Sequence, residues 1–458
     1  MTQTGPPPSE LPARVDPAQR ASSAADPFPD PPPGTPAVTS GVTSGGTSGG
    51  TSAGTGVAGT SLGRTSIGRR LVHGWQQLPG WVQAVLIYGL SRLADVIIIG
   101  RTARFQAASL WNPPNPGYFD MVSLWDGAWY RRVAETGYPH SLPIDVYGHV
   151  AQSEWAFYPL YPFSVRSMMN LFGTGWPVTA SMLSMLYGAL AVVVLRSLID
   201  RQAGRELALW TVALFSFFPS APVLQLAYTE SLGLLLLFGA LWCLQRHKYL
   251  LAVPTVVLIG FERPIGVPVA AVIGLHVLTR LLRHGREPVT WRILGSMLVL
   301  LTAAAVAAVE WTVVAGLVTG TPDAYTQTMA AWRSGHKITL LKPWYWMSQY
   351  FFGRWFGPLL LAAVVAILVW VITRPVARVI AGDLRAWVVC YVGYLAVVLD
   401  PYTSVVRYLL LLFPLGTVFA AASPSKAYRR TLVLAFLAGQ ILWVGWLWRF
   451  SPPSDWPP

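Results

Sequence analysis

Eleven stretches of the chain are apolar enough to be read as membrane crossings, near 81–100, 176–197, 206–226, 230–246, 249–262, 265–282, 293–318, 356–373, 386–400, 408–422 and 431–448. A crossing helix needs about 20 residues, and inside hydrocarbon only a helix or a closed barrel can satisfy its own backbone polar groups. Several of these stretches are short. The two flanking Arg263-Pro264 read as one interrupted pair, because proline removes a backbone donor. A content of 53% hydrophobic and 12% charged residues over 458 positions fits no ordinary soluble domain of that length. The predicted fold is therefore an all-α polytopic membrane protein with about eleven transmembrane helices.

Outside the spans, residues 1–70 are rich in Pro, Gly, Ser and Thr, including Pro31-Pro32-Pro33 and a Thr-Ser-Gly repeat from Thr39 to Thr55. Such a segment has too little apolar surface to fold, so it is expected to be a disordered cytoplasmic tail. It lacks the apolar core of a signal peptide, and insertion is expected to begin at the first span. Residues 71–450 form the transmembrane domain, and 451–458 a short extracytoplasmic tail. Cys243 and Cys390 both lie in apolar runs and read as buried, inert thiols.

The net charge of +13 is not a nucleic-acid signal, because the arginines fall in short clusters between apolar stretches. Arg69 and Arg70, Arg196 to Arg205, Arg246 and Lys248, Arg280 to Arg292, Arg374 to Arg385, and Lys426 to Arg430 all fall on one side if the N-terminus is cytoplasmic, as short basic loops require. Two long loops, 101–175 and 319–355, then face outward. The second carries Trp332, Trp344, Trp346 and Trp355, which suit either an interfacial aromatic belt or a binding surface.

The first of these loops holds Trp125-Asp126-Gly127-Ala128-Trp129-Tyr130, then Gly137-Tyr138-Pro139 and Phe157-Tyr158-Pro159-Leu160-Tyr161-Pro162. A carboxylate among aromatic side chains at a membrane surface is partly desolvated, which makes it a more capable base. Asp126 equally suits the cap of a short helix over 127–134. Ionisable groups also stand at hydrocarbon depth: Arg92 with Asp95, Glu230, Glu262 with Arg263, Glu310, Asp400 and Arg407. Such charge is costly and calls for a partner or a ligand. Arg92 and Asp95, three apart on one helix, read as a structural pair. Asp126, Glu230, Asp400, Arg263 and Arg407 are expected around one extracytoplasmic cavity. The planar forks of Arg263 and Arg407 suit a lipid phosphate as well as they suit snorkelling to the interface. There is no HExxH, Walker or Gly-rich dinucleotide motif to anchor soluble nucleotide chemistry.

Taken together, Ser91-Arg92, Trp125 to Tyr130, Gly137-Tyr138, Phe157 to Pro162, Tyr228-Thr229-Glu230-Ser231, Arg263-Pro264 and Arg407-Tyr408 make the chain resemble the bacterial members of the PIG-V (GPI mannosyltransferase 2) family, over about 85–415. The resemblance implies a GT-C glycosyltransferase that moves mannose from a polyprenyl-phosphate donor to a lipid-linked or glycan acceptor on the outer face, with inversion and with Asp126 as base. Within the matched strings, the residues expected to bind substrate are Trp125, Trp129, Tyr130, Tyr158, Tyr161, Glu230, Arg263, Arg407 and Tyr408. At Phe261-Glu262 the chain departs from the family, which carries small or hydroxyl residues there. No cofactor is required; a divalent metal is conceivable if Asp126, Glu230 and Asp400 converge. Membrane lipids are the other expected partners, and the expected location is the plasma membrane. Two alternatives stay open, a transporter or flippase built from the same spans and a GT-C enzyme using another sugar.

Overall fold

A computed structural model describes residues 73–450 apart from 110, 284, 286, 287 and 334–336. The expected N-terminal tail, with Arg69 and Arg70, and the expected C-terminal tail lie outside the described residues. Within them the fold is all-helical and no strand forms. The helices that matter below are α1 (Gly80–Ala103), α2 (Asp126–Thr136), α3 (Leu160–Phe172), α4 (Trp176–Ser216), α5 (Glu230–Gln245), α6 (Tyr249–Gly260), α7 (Gly266–Leu282), α8 (Trp291–Ala307), α9 (Glu310–Thr319), α10 (Phe356–Thr373), α11 (Gly382–Val398), α12 (Val405–Tyr408) and α13 (Lys426–Leu442).

Four helical stretches are long and apolar enough to cross a membrane: α1, α4, α10, and α13 with its π-helical extension to Trp448; the α8–α9 pair, bent by 47°, makes a fifth if counted as one span. Helices α5, α6 and α7 are apolar but shorter, at 16, 12 and 17 residues. The sequence pattern of eleven crossings thus maps onto fewer full-length helices and several partial ones, with α6 and α7 separated at 261–265 around Arg263-Pro264 as their sequence predicts. Only 6% of the apolar window of α10 is covered by the rest of the chain. A helix that is apolar all round and this bare belongs in lipid or against a partner.

The stretch α4 is two helices that meet at a kink at Gly204, between the two spans expected there; the φ of +80° at Gly204 is open to glycine and strained for other residues. The second of those spans was expected to run to residue 226, but α4 stops at Ser216. Pro219 and Pro222 follow and cannot donate to a helical ladder, so 217–229 runs as turns and a short 3-10 segment, Ala221–Gln225, while most of its side chains stay buried. Irregular backbone is tolerated at membrane depth only when its polar groups find partners, and here they do. Arg92 donates to the carbonyls of Ala221 at 2.7 Å and Ser216 at 3.0 Å, Ser181 to that of Gln225 at 2.8 Å, and Tyr88 to that of Leu224 at 3.3 Å. Arg92 is itself balanced by Asp95 at 2.9 Å, the structural pair expected from their spacing. One consequence is positional. This buried loop delivers Tyr228, Thr229 and Glu230 to the head of α5.

The core runs along α4, which packs against α1 and α5, and continues where α8 meets α6 and α7 and α11 meets α7. Cys243 is buried, Cys390 half-buried, and both thiols are free.

Candidate functional site

Asp126 is the first residue of α2, and its carboxylate does not cap that helix. The N-cap position falls on Trp125, which supplies no side-chain cap bond. Trp125 holds a φ of +57°, sparsely populated by bulky residues, so its conformation has to be enforced by its surroundings. Its indole Nε1 donates to the Trp448 carbonyl at 2.9 Å, and its ring packs on Trp111 and Phe450. Trp448 in turn donates to the carbonyl of Met121 at 2.9 Å. The C-terminal helix therefore clamps the turn that presents Asp126.

The Asp126 carboxylate accepts from Arg407 Nη1 at 2.8 Å. From there a continuous polar chain follows. Arg407 Nε lies 3.4 Å from Glu230 Oε1, within ionic reach but not aligned as a hydrogen bond. The same Oε1 accepts from Arg263 Nη1 at 2.8 Å, which also donates to Thr229 Oγ1 at 3.1 Å. Thr229 shares a hydrogen bond of 3.3 Å with the Tyr130 hydroxyl. The chain thus joins Asp126, Arg407, Glu230 and Arg263, two carboxylates facing two guanidinium groups, from four separate parts of the sequence. Asp126 and Glu230 both sit in the first turns of their helices, where the macrodipole favours negative charge.

Exposure separates these four groups. The side chains of Glu230, Arg263 and Arg407 are 1%, 8% and 8% accessible, against 27% for Asp126. Asp126 is the member a hydroxyl could reach. Arg263 Nε, Arg407 Nε and Glu230 Oε2 are buried without a hydrogen-bond partner. Unused buried donors are rare and call for an explanation, and here two of them belong to the arginines at the centre of the chain.

Aromatic rings fix this geometry. Arg407 lies over the rings of Tyr228 at 4.9 Å and Tyr408 at 5.3 Å, and its Nη2 donates to the Tyr408 hydroxyl at 3.4 Å. Each cation–π contact of this kind is worth roughly 0.5–2 kcal/mol. The Tyr228 hydroxyl accepts from the backbone N–H of Asp126 at 3.1 Å, locking the head of α2 to the end of the buried loop. Trp129 stacks on Phe157 at 5.5 Å and meets Trp332 edge-on at 5.3 Å. This brings the first long loop against the second. Burial, then the charges of Asp126 and Glu230, push the Tyr130 phenol well above its usual range, so it serves as a neutral donor.

Not all the expected residues belong to this chain. Tyr161 donates to the Ala180 carbonyl at 2.9 Å and pairs with Ser184 at 2.8 Å, pinning α3 to α4. Tyr158 packs in a separate cluster with Trp155 and Trp311 and reaches the Tyr325 hydroxyl at 3.3 Å. Asp400 pairs with Arg333 at 3.5 Å. Among the described residues no three His, Cys, Asp or Glu side chains come together as metal ligands, so Asp126, Glu230 and Asp400 do not form the metal site considered from sequence. Glu262 is buried with neither carboxylate oxygen hydrogen-bonded.

Other parts were not singled out from sequence. Tyr228 and Thr229 lay within a motif whose emphasis fell on Glu230. Gly233, one turn along α5, leaves the space the Arg263 stem occupies: a Cβ there would come within 2.6 Å of Arg263 Cδ. No known family model matches the chain, and no curated protein matches it.

Proposed function

We propose that this chain is an integral-membrane glycosyltransferase of GT-C type. It transfers a hexose, mannose by its family resemblance, from a polyprenyl-phosphate donor to a lipid-linked or glycan acceptor. In this reading the shorter apolar helices and the α8–α9 pair make up the remainder of about eleven crossings of the plasma membrane, the N-terminus is cytoplasmic, and Asp126 faces outward. The observation that carries the proposal is the Asp126–Arg407–Glu230–Arg263 chain, in which one accessible carboxylate is tied to buried arginines with donors to spare.

The chemistry follows from the geometry. The acceptor hydroxyl forms a bond from oxygen to the anomeric carbon as the bond from that carbon to the phosphate oxygen breaks, the electron pair leaving with the phosphate. Asp126 takes the hydroxyl proton. Once protonated it no longer holds Arg407 as an ion pair, so the guanidinium is released as negative charge grows on the departing phosphate. Arg263 supplies the second fork. Glu230 keeps both arginines in place between turnovers. One base and two cations suffice for single displacement with inversion.

Asp126→Asn in the purified full chain should abolish transfer from a mannosyl-phosphoprenol donor while leaving the unfolding temperature near that of the wild type. Near-normal turnover would sink the proposal. Movement of substrate across proteoliposomes with no glycosidic product would favour the transporter reading instead.

A further inference from the structure

At the far end of α5 from Glu230, about 24 Å along a 16-residue helix, the ends of several helices line a cavity of about 510 Å³. Arg201 from α4, Arg280 and Arg283 from the end of α7, and Arg378 from the 3-10 turn before α11 line it. Asp383 is the one carboxylate among the described lining residues, giving a formal excess of three positive charges. That carboxylate is already engaged: His276 Nδ1 lies 2.9 Å from Asp383 Oδ1, and its Nε2 lies 3.2 Å from the Tyr249 hydroxyl.

Basic residues between spans serve as topology signals, but that role needs them only on one side of the bilayer and not around one cavity. Here arginines from three separate segments line a common space, together with the polar Gln202, Gln245 and Thr279. Arg201 Nη1 donates to the Gln245 carbonyl at 3.1 Å, and four arginines share the lining with one carboxylate, a balance that draws an anion to the cavity. Planar forks converging from several directions match the tetrahedral oxygens of a phosphate. A cavity of this kind at the end of a helical bundle is also where lipid head groups lodge.

We infer that this cavity is an anion site for a phosphate group, distinct from the Asp126 chain and independent of the transferase reading. The group comes either as the head of an anionic phospholipid or as free phosphate. The test uses the full chain, wild type and Arg201→Gln/Arg283→Gln/Arg378→Gln, with Arg374→Gln as a control for arginine loss outside the cavity, because Arg374 stacks on Trp370 and does not line it. Binding of inorganic phosphate is measured by calorimetry in detergent. Retention of phosphatidic acid against phosphatidylcholine is measured by native mass spectrometry from mixed nanodiscs. The difference between wild type and triple variant isolates this cavity from any phosphate held by Arg263 and Arg407.

The triple variant should lose at least about tenfold in affinity for one probe, the least that removing a charged hydrogen bond implies, while the control binds like wild type. Loss with inorganic phosphate assigns a soluble ligand; loss confined to phosphatidic acid assigns a lipid head group. Equal binding by wild type and triple variant, an equal loss in the control, or no binding of either probe overturns the inference.

Discussion

Two buried ionic groups in this fold look alike in sequence and differ in construction. Arg92 and Asp95 sit one turn apart on α1, and Asp95 is fully buried. The Arg92 guanidinium is otherwise occupied with the Ala221 and Ser216 carbonyls. Both Asp95 oxygens lack a hydrogen bond, but each Arg92 nitrogen is hydrogen-bonded, and the work of the pair is to hold a proline-broken loop in place. The Asp126 chain gathers its members from four segments, leaves arginine donors unused, and keeps one carboxylate 27% accessible. Buried charge alone therefore does not mark a candidate functional site. Unused donors and an accessible end separate the two. The groups are also connected in series, since the loop Arg92 supports is the one that carries Tyr228, Thr229 and Glu230.

The sharpest way to break this contrast is to remove one carboxylate from each group. Asp126→Asn should reduce turnover by about 10²-fold or more, the scale of a lost general base, with little change in unfolding temperature. Asp95→Asn should do the reverse. Leaving Arg92 buried and uncompensated costs about 3–5 kcal/mol, so the expected result is a large drop in thermal stability, with the surviving folded fraction turning over normally. Paired unfolding curves and single-turnover rates on both variants check this. If Asp126→Asn unfolds the protein while its residual activity per folded molecule is normal, the contrast fails.

A smaller effect is expected from Arg407→Lys. The charge remains, but lysine cannot present a planar fork to Asp126 and to a phosphate together. The expected loss is in kcat, by about tenfold or more, because the fork matters most as charge develops on the leaving group. A KM effect alone would mean that Arg407 only binds the ground state.

Much of this was legible in the sequence, and the failures have physical causes. Asp126, Glu230, Arg263 and Arg407 stand out because charge is expensive in apolar surroundings, but their pairing is not visible in one chain: Asp126 and Arg407 are 281 positions apart. Tyr158 and Tyr161 share an aromatic string with the site, and nothing in that string says which hydroxyl points to a neighbouring helix. Tyr161 proves to be a bolt between α3 and α4. The expected third span ran past Ser216 because 217–229 is as apolar as a helix. Only Pro219 and Pro222 announced the break, and apolarity outweighed them. Asp126 as a helix cap failed because Trp125 takes the cap position in a left-handed conformation, which a tryptophan in a sequence does not announce.

Gly233 offers a finer test of the open chain, since it involves no charge. In Gly233→Ala the new methyl would meet Arg263 Cδ at 2.6 Å, a flexible stem that can shift aside. Helix α5 itself should be slightly stabilised, alanine being favoured over glycine by about 1 kcal/mol in a helix interior. Stability and activity are therefore expected to move in opposite directions. The unfolding temperature should hold or rise while donor KM rises several-fold, as Arg263 loses its alignment with Glu230 and Thr229. A matching Gly239→Ala change, further along the same helix, meets only the Thr255 methyl at 3.6 Å and should alter neither. Equal kinetics in the two variants would show that the placement of Arg263 beside Glu230 does not matter to the reaction.

The smallest effect is expected at the end of the chain. Tyr130→Phe removes one neutral hydrogen bond to Thr229, worth about 0.5–1.5 kcal/mol, and leaves the ring in place against Phe157 and Tyr161. Because burial keeps that phenol protonated well above its usual range, the pH–rate profile of the wild type should show no limb from Tyr130 up to pH about 10, and the variant should trace the same profile at a rate lowered less than tenfold. If Tyr130 and not Asp126 were the proton acceptor, the variant would instead lose as much as Asp126→Asn and its profile would change shape. The two substitutions together thus decide which end of the Asp126–Arg407–Glu230–Arg263–Thr229–Tyr130 path takes the proton, and the exposure of Asp126 against the burial of Tyr130 predicts the answer.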